Sequence, residues 1–248
     1  MENLLDGYNE ESLKFLVTYP HFDQDVFDRR MKELLSLDIT ALFSFGRVQL
    51  HKTCVIGKGS IGLVSLVKYR KKYLVIKIRR TDSNRINMFD EVMYQSLANS
   101  NGIGPFIVNF SENFILMEFI KGINISPWFE SQKTSIANLL NCTTSVLEQC
   151  FRLDSLNLDH GQLSRLDQHI IVSKQGNPTI LDFETSSTRR RVSNVTSVFQ
   201  SIFLHGSIYN VLRDSINNDL SEVIKTVKDY KKDRNRQNFE RILSLLHR

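Results

Sequence analysis

Apolar residues at helical spacing mark two segments near the start of the chain, 10–18 and 24–37. In the second, Val26, Met31, Leu34 and Leu35 are expected on one side. The period then shortens. Residues 45–51 read as a strand, and 53–80 read as strand, glycine turn, strand, turn, strand. Val64, Leu66 and Tyr69 carry β-propensity, 70–72 is a polar turn, and 73–78 is the third strand of the run. A helix over 84–99 holds Glu91. Segments 106–110 and 114–119 form a predicted hairpin with Ser-Glu-Asn at its turn. From Trp128 onward the spacing is mostly helical, over 128–140, 142–154, 194–204 and 217–247. A β insert at 170–172 and 179–181 is split by Gly176-Asn177-Pro178.

This order predicts an α+β, two-lobed chain with a small β-rich N-lobe and a mainly helical C-lobe. The expected divisions are an N-terminal helical extension at 1–50, an N-lobe at 51–120 and a C-lobe at 121–248, with a hinge at 118–122. Composition agrees with such a chain. The 248 residues are 41 % apolar, enough for a substantial core. Cys54, Cys142 and Cys150 have no paired or metal-like spacing, which argues for a reducing compartment. The acidic start Met-Glu-Asn-Leu-Leu-Asp lacks the basic region of a signal peptide, and apolar runs such as 114–117 are too short for a bilayer. The expectation is a soluble, cytoplasmic protein with no membrane partner. The formal charge of +5 is concentrated in Arg189-Arg190-Arg191 and in 228–248. It reads either as a solvated face or as a docking surface for an acidic partner, an RNA or a phosphoprotein.

Four features carry candidate chemistry. Gly57, Gly59 and Gly62 have the G-x-G-x-x-G spacing that lets backbone N–H groups approach phosphate oxygens. A dinucleotide-binding fold would start a helix after the last glycine. Residues 63–69 instead read as a strand, which favours a β-hairpin over the phosphates. Lys77, within Leu-Val-Ile-Lys-Ile, is buried on a strand unless an anion meets it, and Glu91 on the next helix is the best partner. Asp182 ends the apolar run Ile180-Leu181 and suits a divalent ion, although a turn aspartate has the same spacing. His160-Gly161-Gln162-Leu163-Ser164 is a candidate catalytic loop about twenty residues earlier.

The order glycine loop, Val-Ile-Lys, helix glutamate, Met-Glu-Phe, His-Gly-x-Leu-Ser and Asp-Phe resembles the protein-kinase superfamily over roughly residues 53–205. It is most similar to atypical archaeal Ser/Thr kinases related to the RIO type. The resemblance implies Mg²⁺ and ATP as cofactors and a Ser or Thr hydroxyl of a protein as acceptor. It implies that Gly57, Gly59 and Gly62 cover the phosphates, and that Lys77 binds them while paired with Glu91. Met117 would be the gatekeeper. Glu118 and Ile120 would offer backbone groups to adenine, with Ile56, Val64 and Val75 against the ring and Ile171 closing from below. Asp182 would hold the metal.

The departures are as informative. The base position of the family's His-x-Asp loop is Gln162, an amide that orients a hydroxyl but accepts a proton poorly. The metal-binding Asn of the family has no counterpart at its usual spacing, and His169 precedes the strand instead. Asp159 and Asp167 are the candidate replacements for the base, with Asp167 favoured and Asp159 expected to buttress the loop. Glu184 replaces the glycine of Asp-Phe-Gly; it would assist the metal or bind Arg189–Arg191. Other readings of the chain are a pseudokinase that binds ATP and regulates a partner, an RNA-associated RIO-like ATPase, and a small-molecule phosphotransferase.

Overall fold

Period-two alternation on two neighbouring strands sorts side chains onto the two faces of one sheet. The computed structural model describes residues 10–132, 135–204, 206–212 and 219–247. The chain is mixed α+β and divides into two units, Met1–Ser96 with Pro105–Phe119, and Leu97–Gly104 with Ile120–Arg248. One crossing, Phe119 to Ile120, falls within the expected 118–122 stretch.

The first unit runs α1 (Glu10–Val17), α2 (Gln24–Ser36), β1 (Ile39–Phe43), β2 (Val48–Leu50), β3 (Thr53–Val55), β4 (Gly57–Lys58), β5 (Gly62–Tyr69), β6 (Lys72–Arg79), α3 (Phe89–Asn99), β7 (Ile107–Phe110) and β8 (Phe114–Glu118). The main sheet is antiparallel in the order β1-β5-β6-β8-β7, with β4 paired to β5. On β6, Leu74, Ile76 and Ile78 join Phe114 and Leu116 of β8 under Leu13, Leu16 and Val17 of α1 and Leu34 of α2. Val75 takes the opposite face with Ile115 and Met117, packed on Met88 and Val92. Leu16, Leu34, Leu63 and Ile76 are fully buried, each worth about 1.5–3 kcal/mol. Gly62–Tyr69 is a strand, as the reading of 63–69 required.

Three details differ from the periodicity. Leu35 of α2 is exposed, and Arg30 takes the buried side with Leu34. Arg30 is tolerated there because Nη1 donates to Val17 O at 2.7 Å and Nη2 to Asn113 Oδ1 at 3.1 Å. β1 extends the sheet through β5, although its residues continue the apolar run of α2. The helix expected from 84 begins at Phe89, because 80–88 is a loop held by side-chain and backbone bonds, such as Arg79 Nη1 to Arg85 O at 2.8 Å and Met88 N to Glu112 O at 3.0 Å.

The second unit contains β9 (Ile123–Asn124), α4 (Ile125–Gln132), α5 (Ile136–Ser155), α6 (Leu166–His169), β10 (Ile170–Val172), β11 (Pro178–Ile180), α7 (Asn194–Phe203), α8 (Ser207–Leu212), α9 (Leu220–Lys232) and α10 (Arg236–Ser244). Its three-stranded sheet has the order β11-β10-β9. The break expected near 141 does not exist. Leu139, Cys142, Val146, Cys150 and Leu153 are one continuous buried stripe of α5. The helix expected at 217–247 is two helices, because the Asn235 side chain accepts from Asn238 N at 2.8 Å and starts α10 afresh. Residues 133–134, 217–218, 248 and the acidic start at 1–6 lie outside the described residues.

Candidate functional site

The first unit brings together most residues singled out in its sequence. Lys77 and Glu91 are both buried, and Nζ lies 2.7 Å from Oε1. The strand register explains the reach. Lys77 stands opposite Val64 on β5 and Ile115 on β8, on the face packed by α3, and Glu91 lies in the first turn of α3. Ile56, Val64, Val75 and Met117 share one apolar cluster on that face. Met117 Sδ lies 3.6 Å from Gln95 Nε2, which also donates to Pro105 O at 2.7 Å. Glu118 N donates to Phe106 O at 2.9 Å, so a contact from Glu118 to adenine would use its carbonyl.

The glycine turn closes through Gly59 N to Gly62 O at 2.8 Å, flanked by Ile56 N to Val64 O at 2.8 Å. None of its three glycines has left-handed backbone. Gly62 is required for another reason. A Cβ there would lie 2.9 Å from Ile78 O and 3.2 Å from Lys77 Cγ, so the missing side chain makes room for the lysine stem.

In the second unit Asp182 follows β11 with φ 67°, a left-handed conformation that costs an L-residue on the order of 1 kcal/mol or more. Its carboxylate is one-third exposed, and Oδ2 lies 3.9 Å from Nδ1 of buried His169. The neighbouring Phe183 is fully buried against Gly104. That glycine has φ +80°, and a Cβ on it would sit 2.7 Å from the ring. His160 has no exposed surface. Its Nε2 lies 2.9 Å from Leu181 O, so the ring is the Nε2–H tautomer, and it stands edge-on to His169 and Phe183 at 5.3 Å. Burial pushes the imidazole down to about 4, which keeps it neutral at pH 7.

The acidic candidates around the loop have distinct surroundings. Asp159 is a buttress. Its Oδ2 accepts from Arg190 Nε at 2.7 Å, its Oδ1 accepts from Ser193 N and Oγ, and its backbone bridges Ser187. Arg190 Nη2 also donates to Thr185 O at 2.8 Å, and Arg191 Nη2 to Lys231 O at 2.8 Å. Asp167 is exposed, and its Oδ1 accepts from Ser126 N at 2.9 Å in the first turn of α4. Gln162 is half-buried, and its Oε1 is a buried acceptor without a hydrogen bond among the described residues. Ile171 is the central residue of β10, between Asn124 and Thr179. Ile120 opens the second unit's main segment.

Sequence reasoning missed the residue that holds this loop. Asn194 Oδ1 accepts from His160 N at 2.9 Å, while its Nδ2 donates to Leu158 O and to Asp154 Oδ1, both at 2.8 Å. Tyr230 Oη donates to Asp154 Oδ2 at 2.9 Å. Burial pushes the Asp154 carboxyl up, with the bonds from Tyr230 and Asn194 opposing it. The signal was present in part: Asp154 stands four residues after Cys150 and seven after Leu147, on the apolar stripe of α5.

No protein-family profile and no curated protein matches the chain. No described helix is long and apolar enough to cross a membrane.

Proposed function

We propose that the chain is an ATP-dependent Ser/Thr protein kinase with a two-lobed, kinase-like fold. The first unit would be its β-rich lobe and the second its helical lobe. The observation that carries this reading is the buried 2.7 Å Lys77–Glu91 ion pair, on the same face as Ile56, Val64, Val75 and Met117 and next to a closed glycine turn. A buried ion pair stabilises poorly for what its desolvation costs, which favours a functional reason for keeping it.

In this proposal Lys77 binds the α- and β-phosphates, oriented by Glu91, and the glycine turn covers them. The apolar cluster receives adenine. Asp182 is the metal ligand, and its strained backbone supports that role, since such strain gathers at functional positions. A carboxylate oxygen fits Mg²⁺. An imidazole fits it less well, so His169 serves best by steadying Asp182 or by binding a softer ion such as Mn²⁺. When bound, the ion would neutralise charge on the phosphates. Gln162 orients the acceptor hydroxyl. That oxygen attacks the γ-phosphorus, the bond to the β-phosphate oxygen breaks, and ADP leaves. The hydroxyl proton passes to Asp167 or to water. A pseudokinase is the second reading, favoured by Gln162 at the base position and by the Asp167 oxygen engaged with Ser126.

The test is transfer of label from γ-labelled ATP to a generic protein acceptor. Asp182→Ala and Lys77→Met are expected to lower it at least a hundredfold. Equal label in wild type and variants overturns the kinase reading. Nucleotide binding without transfer leaves the pseudokinase. Gln162→Asp and Asp167→Ala then assign the base: a gain in the first without loss in the second removes Asp167.

A further inference from the structure

Arg80 holds the glycine turn from outside through both its backbone and its side chain. Arg80, immediately after β6, donates its backbone N–H to Ile61 O at 2.8 Å and its Nη1 to Gly59 O at 3.0 Å. Two carbonyls of the turn are thus tied to one residue. The guanidinium is fixed in turn by Asp82, with Nε to Oδ1 at 2.8 Å and Nη2 to Oδ2 at 2.7 Å. Its Cζ lies 5.2 Å from the centroid of the Tyr19 ring.

Tyr19 also receives the strand leading into the turn. Nζ of Lys58, on β4, lies 5.3 Å from the same ring. Two cations flanking the glycine turn therefore share one aromatic ring, an arrangement that the quadrupole of the ring favours. The ring is well anchored. Tyr19 O accepts from Thr81 N at 2.9 Å and from Thr81 Oγ1 at 3.1 Å, and Phe15 of α1 stands edge-on at 5.3 Å. Glycines give a turn conformational freedom, and freedom must be removed before a turn can grip a ligand. Within the turn, the bond from Gly59 N to Gly62 O and the short β4–β5 pairing contribute to this.

We propose that Arg80 is a positioning residue for the glycine turn, and that the α1 segment, through the Tyr19 ring, sets how tightly the turn grips a polyphosphate. The second half rests on the nucleotide reading above. The brace itself does not.

Two measurements on the full chain test this. Backbone hydrogen exchange at 57–62 is compared with exchange at 65–67 of β5, without ligand, in wild type, Tyr19→Phe, Tyr19→Leu and Arg80→Ala. Affinities for Mg-ATP and for adenosine are measured on the same proteins. Tyr19→Phe keeps the ring and is expected to match wild type. Tyr19→Leu and Arg80→Ala are expected to speed exchange in the turn about tenfold, with the β5 amides unchanged. They are expected to weaken Mg-ATP binding about tenfold, the scale of a partly desolvated cation–π contact, and adenosine binding less than twofold. Unchanged exchange in the turn overturns the brace. Equal losses for Mg-ATP and adenosine overturn the claim of a specific grip, since general loosening would act on both. If wild type binds no Mg-ATP, the nucleotide reading fails and takes the polyphosphate claim with it. The exchange comparison then decides the brace alone.

Discussion

The Lys77 centre of the first unit and the His160–Asp154 centre of the second bury polar groups in different ways. In the first, a full positive charge on Lys77 is matched by a carboxylate at 2.7 Å. In the second, His160 is kept neutral, with its imidazole pushed down to about 4, and Asp154 takes bonds from Tyr230 and Asn194. The first arrangement sets two opposite charges against each other in a buried place, so removing either charge is costly. The second spreads its dependence over several donors, so single losses should be smaller.

Removing one charge of the pair is the largest expected perturbation. Glu91→Leu leaves the ammonium buried and is expected to cost about 3–5 kcal/mol in urea unfolding, with Lys77→Met in the same chain recovering most of it. If the double variant is no better than the single, the matched-charge description of the first unit is wrong. Next in size is the pH response of His160. The unfolded imidazole takes a proton near 6.5, whereas the folded one refuses it until about 4. The folded-state value is depressed, so this stability is complete above about pH 6.5 and is lost as pH falls towards 4. The loss is about 3 kcal/mol, and His160→Gln should flatten the profile between pH 4.5 and 7 relative to wild type. An unchanged profile would show that the imidazole is not kept neutral by burial. The smallest expected effect is Tyr230→Phe, which removes one of several donors to Asp154. It should cost about 1–2 kcal/mol by the same urea measurement. A loss as large as that of Glu91→Leu would erase the distinction between the units.

The same contrast explains what the sequence made legible. Lys77 and Glu91 could be paired on paper because strand alternation puts Lys77 on the same face as Val75 and Met117, and the next helix begins with acidic residues. The glycine turn, the 107–118 hairpin and the first two helices were legible for the same periodic reason. Arg30 in place of Leu35 was not, since its burial depends on Val17 O and Asn113, 83 residues away. Nor was β1, whose identity as a strand comes from pairing with β5. Asn194 contacts the backbone of His160 across 34 residues, and Asp167 reaches Ser126 across 41. A bond from a side chain to a distant backbone leaves no repeat in the sequence. The brace on the glycine turn was hidden likewise, because Tyr19 and Arg80 belong to segments with different periods.

The contact between Gly104 and Phe183 has a consequence of its own. Position 104 admits nothing bulkier than a hydrogen atom, because even a methyl group there would collide with the benzyl ring that adjoins Asp182. The ring next to Asp182 is thus seated against a residue seventy-nine places before it, and a larger side chain at 104 requires a matching contraction or shift at 183.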